Sequence, residues 1–181
     1  MLAPSPCDFP VRWLLAIDPG CDTGWAIFDD TRLIDCGLYS TNPPKGEYTR
    51  PLYQHYDRLV IECPMLRPRG EKNPNAILKL ARNAGEWAGR YDGDNSPIVE
   101  YILPNTWKGT TKDDVSTART KMTLTPEESK LVHGVFAGLP GRNGLAESRR
   151  HNVYDAIGIG LWAVGRKASR ASGSSALRDV R

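Results

Sequence analysis

Apolar residues in the first part of the chain occur in short runs separated by turn-forming residues. The segment Trp13–Phe28 holds two such runs joined by a link that contains Pro19 and Gly20, which predicts a strand, a tight turn and a second strand. A further short run within Thr31–Tyr39 predicts a third strand. Three consecutive strands with short links are typical of an antiparallel meander.

The remaining chain carries one more strongly apolar strand and several helical patterns. Leu59–Cys63 is apolar without alternation except at Glu62, which predicts a central strand covered on both faces, and Pro64 ends it. The other predicted elements are a helix over Asn75–Tyr91, a strand over Ile98–Leu103, a loop over Pro104–Asp114, a helix over Val115–Met122, a helix beginning at Thr125–Glu128, a loop over Leu139–Asn143 and a helix over Arg149–Ala163. The first of these helices is predicted to pack on the sheet through Ile77, Ala81, Ala84 and Ala88.

Two of the apolar runs end in a carboxylate. Asp18 closes the first strand and Glu62 closes the central strand, where aliphatic side chains would be expected. A carboxylate at such a position is unfavourable unless a cation, a metal or a base meets it. Asp18-Pro19-Gly20 also has the composition of a simple turn. If the two strands are neighbours, however, the pair forms a cluster able to hold a divalent cation.

The last helix offers a third acidic candidate with an alternative explanation. His151 and Asp155 are four residues apart and share one face if the helix extends back far enough. Alternatively, Asn152 is the N-cap residue and Asp155 the third helical residue of a capping arrangement. On this helix alone the pattern favours capping.

Composition narrows the class of protein without deciding its function. The chain has 181 residues, 40% of them hydrophobic and 25% charged, which predicts one globular domain. Its net charge is only +3, but basic residues are concentrated between Arg67 and Arg90 and after Arg149, as suits a polyanionic partner. No signal peptide or membrane-spanning run is evident, and the cysteines, Cys7, Cys21, Cys36 and Cys63, lack metal-ligand spacing. These features predict reduced thiols and a cytoplasmic protein.

Taken in order, these motifs resemble the RuvC-like Holliday-junction resolvases of the RNase H superfamily, and most closely the shorter phage-type members. The matching pieces are Ile17-Asp18-Pro19-Gly20 with Gly24-Trp25-Ala26, Val60-Ile61-Glu62, Lys108 with Lys112-x-x-Val115, and Asp155-Ala156 followed by an apolar helix. The resemblance covers about Trp13 to Ala163. It implies an α/β fold with a mixed five-stranded sheet, in which parallel strands extend the antiparallel meander and helices cover both faces. It places the nuclease domain at residues 1–165, followed by a basic, flexible tail at 166–181.

The resemblance also implies a reaction and a set of active-site residues. The family hydrolyses a DNA phosphodiester with two Mg²⁺ ions, for which Mn²⁺ can substitute, and such ions need clustered oxygen ligands. By this resemblance Asp18 bridges the two ions, Glu62 holds one and Asp155 holds the other. Family members commonly carry His or Asp three residues before the last Asp. Here that residue is Asn152, with His151 one position earlier, so both are candidates for the fourth site.

The expected partners are branched DNA, such as a four-way junction or flap, and a second copy of the chain in a homodimer. The expected DNA contacts are basic residues of two loops: Arg67, Arg69, Lys72, Lys108 and Lys112. The glycine-rich segment between Lys108 and Lys112 is shorter than in the family. It also lacks the spacing of a P-loop, so no nucleotide cofactor is expected.

Two other functions are compatible with parts of the sequence. The segment Ile17–Gly24 loosely resembles the phosphate loop of actin-like ATPases and sugar kinases, but those proteins need two such domains around the nucleotide. A non-catalytic DNA-binding relative is the second alternative. Against it, a pure DNA binder gains nothing from carboxylates that face phosphates.

Overall fold

The structure is a computed structural model that describes residues 12–40, 55–64, 74–91, 96–139 and 146–166. Within these ranges the elements follow one another as β1 (Trp13–Asp18), β2 (Asp22–Asp29), β3 (Arg32–Ser40), β4 (Arg58–Glu62), α1 (Pro74–Gly89), β5 (Ile98–Ile102), α2 (Pro104–Trp107), α3 (Asp113–Thr123), α4 (Pro126–Gly138) and α5 (Glu147–Ala163).

The strands form one five-stranded mixed sheet in the order β3-β2-β1-β4-β5. β1, β2 and β3 make the predicted antiparallel meander, in which Asp18 of β1 lies opposite Gly24 of β2. β4 runs parallel to β1, and β5 runs parallel to β4. The ends of β1 and β4 that carry Asp18 and Glu62 therefore lie side by side.

Side chains of the central strands point alternately to two separate cores, as the continuous apolar runs predict. On one face Leu14, Ala16 and Val60 pack in a core that includes side chains of α4 and α5. On the other face Leu15 and Ile61 join a smaller core formed with α1. Helices thus cover both faces, and the predicted α/β fold with a mixed five-stranded sheet is confirmed.

Helix α5 lies directly against the sheet because two glycines leave room for it. A Cβ atom placed on Gly24 would come within 1.9 Å of the carbonyl oxygen of Asn152, so the backbone of α5 contacts the backbone of β2 there. Further along, a Cβ on Gly160 would come within 2.0 Å of the Phe28 ring. Neither contact tolerates a side chain, and together they fix the distance between α5 and the strands.

Three local predictions differ from the structure. The predicted loop over 104–114 contains the one-turn helix α2 and the start of α3. Ala81, predicted to face the sheet, is exposed, whereas Ala84 and Trp87 are buried. Asn152 is not an N-cap, because α5 begins at Glu147 and its cap position is Ala146, whose side chain makes no cap hydrogen bond. The capping explanation for Asp155 is therefore wrong.

A buried ion pair joins the ends of three elements on the α4–α5 side. Glu128, in the predicted first turn of α4, completes a capping box with Thr125 and accepts a hydrogen bond from the backbone N–H of Leu33 at 2.8 Å. Arg166 donates to the same carboxylate at 2.6 and 2.8 Å. The ordered contacts thus reach Arg166, the first residue of the predicted tail, and residues 167–181 lie outside the described part.

None of the described helices combines the length and apolarity that a membrane crossing requires.

Candidate active site

The alternation of side chains along β1 and β4 directs two carboxylates toward α5. Leu14 and Ala16 point to the core on the α5 side, and Asp18 follows them with the same period of two. In β4 the same relation holds between Val60 and Glu62. Both carboxylates end their strands, so they lie at one edge of the sheet on the face that α5 covers.

Asp155 completes the group from the helix. It lies more than two turns into α5, is only 7% exposed, and follows the stretch of α5 backbone that contacts Gly24. Its Oδ1 atom is buried and has no hydrogen-bond partner among the described residues. A buried carboxylate oxygen without a donor is costly, which makes this atom a candidate ligand for a cation.

Burial and neighbouring carboxylates raise the pKa of all three carboxyl groups. Burial raises the pKa of Asp18 well above its usual value, and the charges of Glu62 and Asp155 raise it further. Burial raises the pKa of Asp155 to about 6, with Glu62 adding to the effect and Lys108 opposing it. Burial also raises the pKa of Glu62. The site therefore favours an additional positive charge.

Lys108 is the cation that the structure places among these groups. Its ammonium lies 3.9 Å from Oδ2 of Asp155 and 3.3 Å from Oδ1 of Asp113, the first residue of α3. Burial alone would lower the pKa of Lys108, but the neighbouring charges of Asp155, Glu62 and Asp113 raise it overall. Lys108 therefore stays charged and partly neutralises the acidic cluster.

Trp107 contacts the carboxylate of Glu62. Its indole N–H donates a hydrogen bond to Oε2 of Glu62 at 2.5 Å. This bond acts to lower the pKa of Glu62 against the effect of burial. The adjacent residues Trp107 and Lys108 thus hold Glu62 and Asp155, respectively.

The two candidates for the fourth position lie near the start of α5. His151 is exposed and Asn152 is half-buried. Despite burial, the hydrogen bond and charge of Arg149 lower the pKa of Asp22, and His151 adds a smaller effect in the same direction. Asp22, at the start of β2, forms an ion pair with Arg149 in α5, which ties this end of the helix to the sheet.

The predicted DNA contacts divide into described and undescribed residues. Arg67, Arg69 and Lys72 lie outside the described residues. Lys112 is exposed immediately before α3, as a phosphate contact requires. Lys108, in contrast, is half-buried and engaged with two carboxylates.

The acidic cluster offers the oxygen donors that a magnesium site requires, but its side chains are not arranged around a single metal position. Within the described ranges, no group of three or more His, Cys, Asp or Glu side chains is arranged so that it could hold a metal ion. Carboxylate oxygens are nevertheless the ligands that Mg²⁺ prefers, and Oδ1 of Asp155 is buried with no donor from the part of the chain that the structure describes. Glu62 and Asp155 are held instead by Trp107 and Lys108.

Sequence reasoning missed Asp113, Trp107 and the pair of Asp22 with Arg149 as parts of the site. Asp113 was available as the first acid of an acidic helix start, and Trp107 as the neighbour of a predicted DNA-contacting lysine. No local pattern joins Trp107 to Glu62, because 45 residues separate them. Only the fold brings these side chains together.

Comparisons with known proteins give structural neighbours only. No family model matches the chain, and no curated protein sequence matches it. Among solved structures, RuvC of Thermus thermophilus in complex with a Holliday junction substrate aligns with a TM-score of 0.42 and 16% identity, covering 86% of this chain and 98% of that one. A second Thermus thermophilus RuvC structure aligns with a TM-score of 0.40 and 15% identity, with the same coverage.

Proposed function

We propose that this chain is a metal-dependent endonuclease that cleaves branched DNA such as four-way junctions. The observation that carries the proposal is the convergence of Asp18, Glu62 and Asp155 at one edge of the sheet, with their pKa values raised by burial and by neighbouring carboxylates. Perturbed acidic groups gathered in this way are typical of catalytic sites. The ordered motifs shared with RuvC-like resolvases, in particular with the shorter phage-type members, support the same reaction.

In the proposed reaction the three carboxylates serve as oxygen ligands. Asp18 would contribute to both Mg²⁺ sites, Glu62 to one and Asp155 to the other, with His151 or Asn152 beside Asp155. Two bound ions supply activation of the attacking water and stabilisation of the leaving oxygen in phosphodiester hydrolysis. Mn²⁺ would substitute for Mg²⁺, because it also accepts carboxylate ligands.

Lys108 contributes a positive charge that the protein itself provides. In the structure its ammonium contacts Asp155 and Asp113, so it is held at the acidic edge by two charges. A DNA phosphate that enters this edge meets the same ammonium, which offsets repulsion between phosphate and carboxylates. Lys112, together with the basic residues between Arg67 and Lys72, would contact the phosphates of the DNA arms.

A homodimer is the proposed form, since a four-way junction offers two symmetric strands. Helix α1 supports it with an exposed stripe at helical spacing: Leu78, Ala81, Gly85 and Gly89. Leu78 is 66% exposed, and a Cβ placed on either glycine meets nothing within 4 Å. A surface with such small residues permits a second helix to approach closely. Sedimentation of the wild type and of a Leu78→Glu variant tests this part, and a monomeric wild type would contradict it.

A nuclease assay separates the proposal from its alternatives. The purified chain is incubated with labelled four-way, flap and linear duplex DNA in Mg²⁺, in Mn²⁺ and in EDTA. We expect cleavage of a branched substrate that needs the divalent ion and exceeds cleavage of the linear duplex. Tight junction binding without cleavage would instead indicate a DNA-binding protein. ATP hydrolysis in a parallel ATPase assay, without any DNA cleavage, would indicate the actin-like alternative.

A further inference from the structure

We infer that Trp107 is a positioning residue that holds Glu62 of β4 at a fixed place relative to Asp155 of α5. The inference deepens the proposed function and rests on it. Trp107 is the last residue of α2, a helix of four residues that is too short to be stable alone. Contacts with other elements, including those of the indole ring, therefore hold the segment in place.

The polar edge of the ring faces the end of β4. The indole Nε1–H donates to Oε2 of Glu62 at 2.5 Å. An indole is a donor only and cannot bind a metal, so Trp107 can orient the carboxylate but cannot replace it as a ligand. With one oxygen of Glu62 held in this way, the other is left for a ligand of the site.

The opposite edge of the ring rests on the backbone of α5. A Cβ atom placed on Gly158 would lie 2.5 Å from Cζ3 and 3.2 Å from Cε3 of Trp107, so the ring occupies the space where a side chain would stand. Gly158 follows Asp155 by three residues, which places the two about one turn apart on α5. The indole therefore spans the distance between the strand that carries Glu62 and the helix that carries Asp155.

Lys108, the next residue, adds a second link between the Trp107 ring and Asp155. The ammonium of Lys108 lies 5.2 Å from the centre of the Trp107 ring and 3.9 Å from Asp155. The same ring thus orients Glu62 through its N–H and lies within cation–π distance of the lysine that faces Asp155. Since Glu has three rotatable side-chain bonds, losing this support lets its carboxylate leave the productive position.

Trp107→Phe tests the inference, because it retains an aromatic ring for the space at Gly158 and removes the donor. We expect its single-turnover cleavage of a four-way junction to fall about 10- to 100-fold, the usual range for groups that orient a metal ligand. Junction affinity measured in Ca²⁺ should stay within about threefold, since no phosphate contact is lost. Trp162→Phe makes the same chemical change in the last turn of α5 and should leave both quantities unchanged. Gly158→Ala, which keeps the donor but displaces the ring, should reduce cleavage as Trp107→Phe does.

A spectroscopic measurement makes the test independent of activity. The chain has five tryptophans, and their indole N–H signals are assigned by triple-resonance NMR in the metal-free protein. Glu62→Gln should move the Trp107 signal upfield and leave the other indoles in place, because a neutral amide accepts a weaker hydrogen bond. A Trp107 signal that does not move in Glu62→Gln would overturn the hydrogen bond. If the wild type cleaves the junction and Trp107→Phe cleaves it at the same rate, the positioning role would be overturned. An inactive wild-type chain would instead overturn the proposed nuclease function.

Discussion

The buried carboxyl group of Asp155 shows how the surroundings of the site change the pKa of an acidic residue. Burial first, and Glu62 second, raise its pKa to about 6, while Lys108 only partly offsets them. Because the folded pKa exceeds that of an unfolded Asp, about 3.9, the folded state binds the proton more tightly. Asp155 therefore lowers the stability of the metal-free protein progressively as pH rises from about 4 to about 6.

Replacing this carboxylate with an amide separates a metal ligand from a structural residue. We expect Asp155→Asn to keep or raise the melting temperature of the metal-free protein above pH 6, because a repelled charge is removed. Cleavage in Mg²⁺ should fall at least about 100-fold, with partial rescue by Mn²⁺. His151→Ala should lose less, since Asn152 can share its position. Asp35→Asn, at a half-buried carboxyl group of β3, is the control. Lowered stability with normal cleavage in Asp155→Asn would contradict the metal role.

The sequence identifies Asp155 as a candidate site residue but does not decide between a capping role and a metal-binding role. Asn152 has the side chain of a good helix cap and Ala146 does not, so local preference places the start of α5 in the wrong position. The actual start is tied to β2 by the pair of Arg149 with Asp22, which is a contact between distant parts of the chain. Asp113 was missed for a different reason, because it and its partner Lys108 both belong to a segment predicted to be a loop.

At the scale of elements, the direct contact of α5 with β2 decides where Asp155 lies relative to Asp18. Gly24→Ala should push the helix away, since the new Cβ would lie 1.9 Å from the backbone oxygen of Asn152. We expect a loss of about 2–3 kcal/mol in the free energy of unfolding, measured in urea, and impaired cleavage. Gly134→Ala in α4 meets nothing within 4 Å and should stabilise the protein by up to about 1 kcal/mol. Equal stability of the two variants would contradict the packing argument.

The ion pair of Glu128 and Arg166 joins the β2–β3 turn, the start of α4 and the segment after α5. Burial alone would raise the pKa of Glu128, but its bonds with Arg166, Thr125 and Leu33 lower it overall. Because the folded pKa is depressed, the stabilisation is present above the unfolded pKa and is lost as pH falls through the folded pKa. Glu128→Gln should therefore lower the free energy of unfolding by about 3 kcal/mol at pH 7 and by much less near pH 3. An equal loss at both values would show that the charge is unimportant.

Elements differ in how much of them the sequence predicts. β1 and β4 were predictable because their apolar runs are continuous, and Thr125–Glu128 because it has the composition of a capped helix start. Helix α2 was not, since four residues have no periodicity and its last residue is held by contacts with β4 and α5. The position of β4 beside β1 came from the family resemblance, because apolar runs alone do not specify which strands pair.

At the scale of the whole molecule, a net charge of +3 coexists with an acidic edge, so the proposed DNA binding must depend on local basic residues. Junction affinity should fall steeply with salt, and Lys112→Ala should lower the slope of log K against log salt by about 1. Lys108→Ala should change the cleavage rate but alter this slope little, since the charge of Lys108 already faces Asp155 and Asp113. Fluorescence anisotropy over a salt series measures both slopes. Affinity that does not respond to salt would contradict phosphate recognition.

The central claim, catalysis by clustered carboxylates, is tested most directly by Asp18→Asn. Single-turnover cleavage of a labelled four-way junction in Mg²⁺ is compared for the wild type, this variant and Asp29→Asn, whose carboxylate pairs with Arg12 at the opposite end of the sheet. We predict that Asp18→Asn abolishes cleavage while junction affinity survives, and that Asp29→Asn cleaves at the wild-type rate. Full cleavage by Asp18→Asn would contradict the assignment of this site.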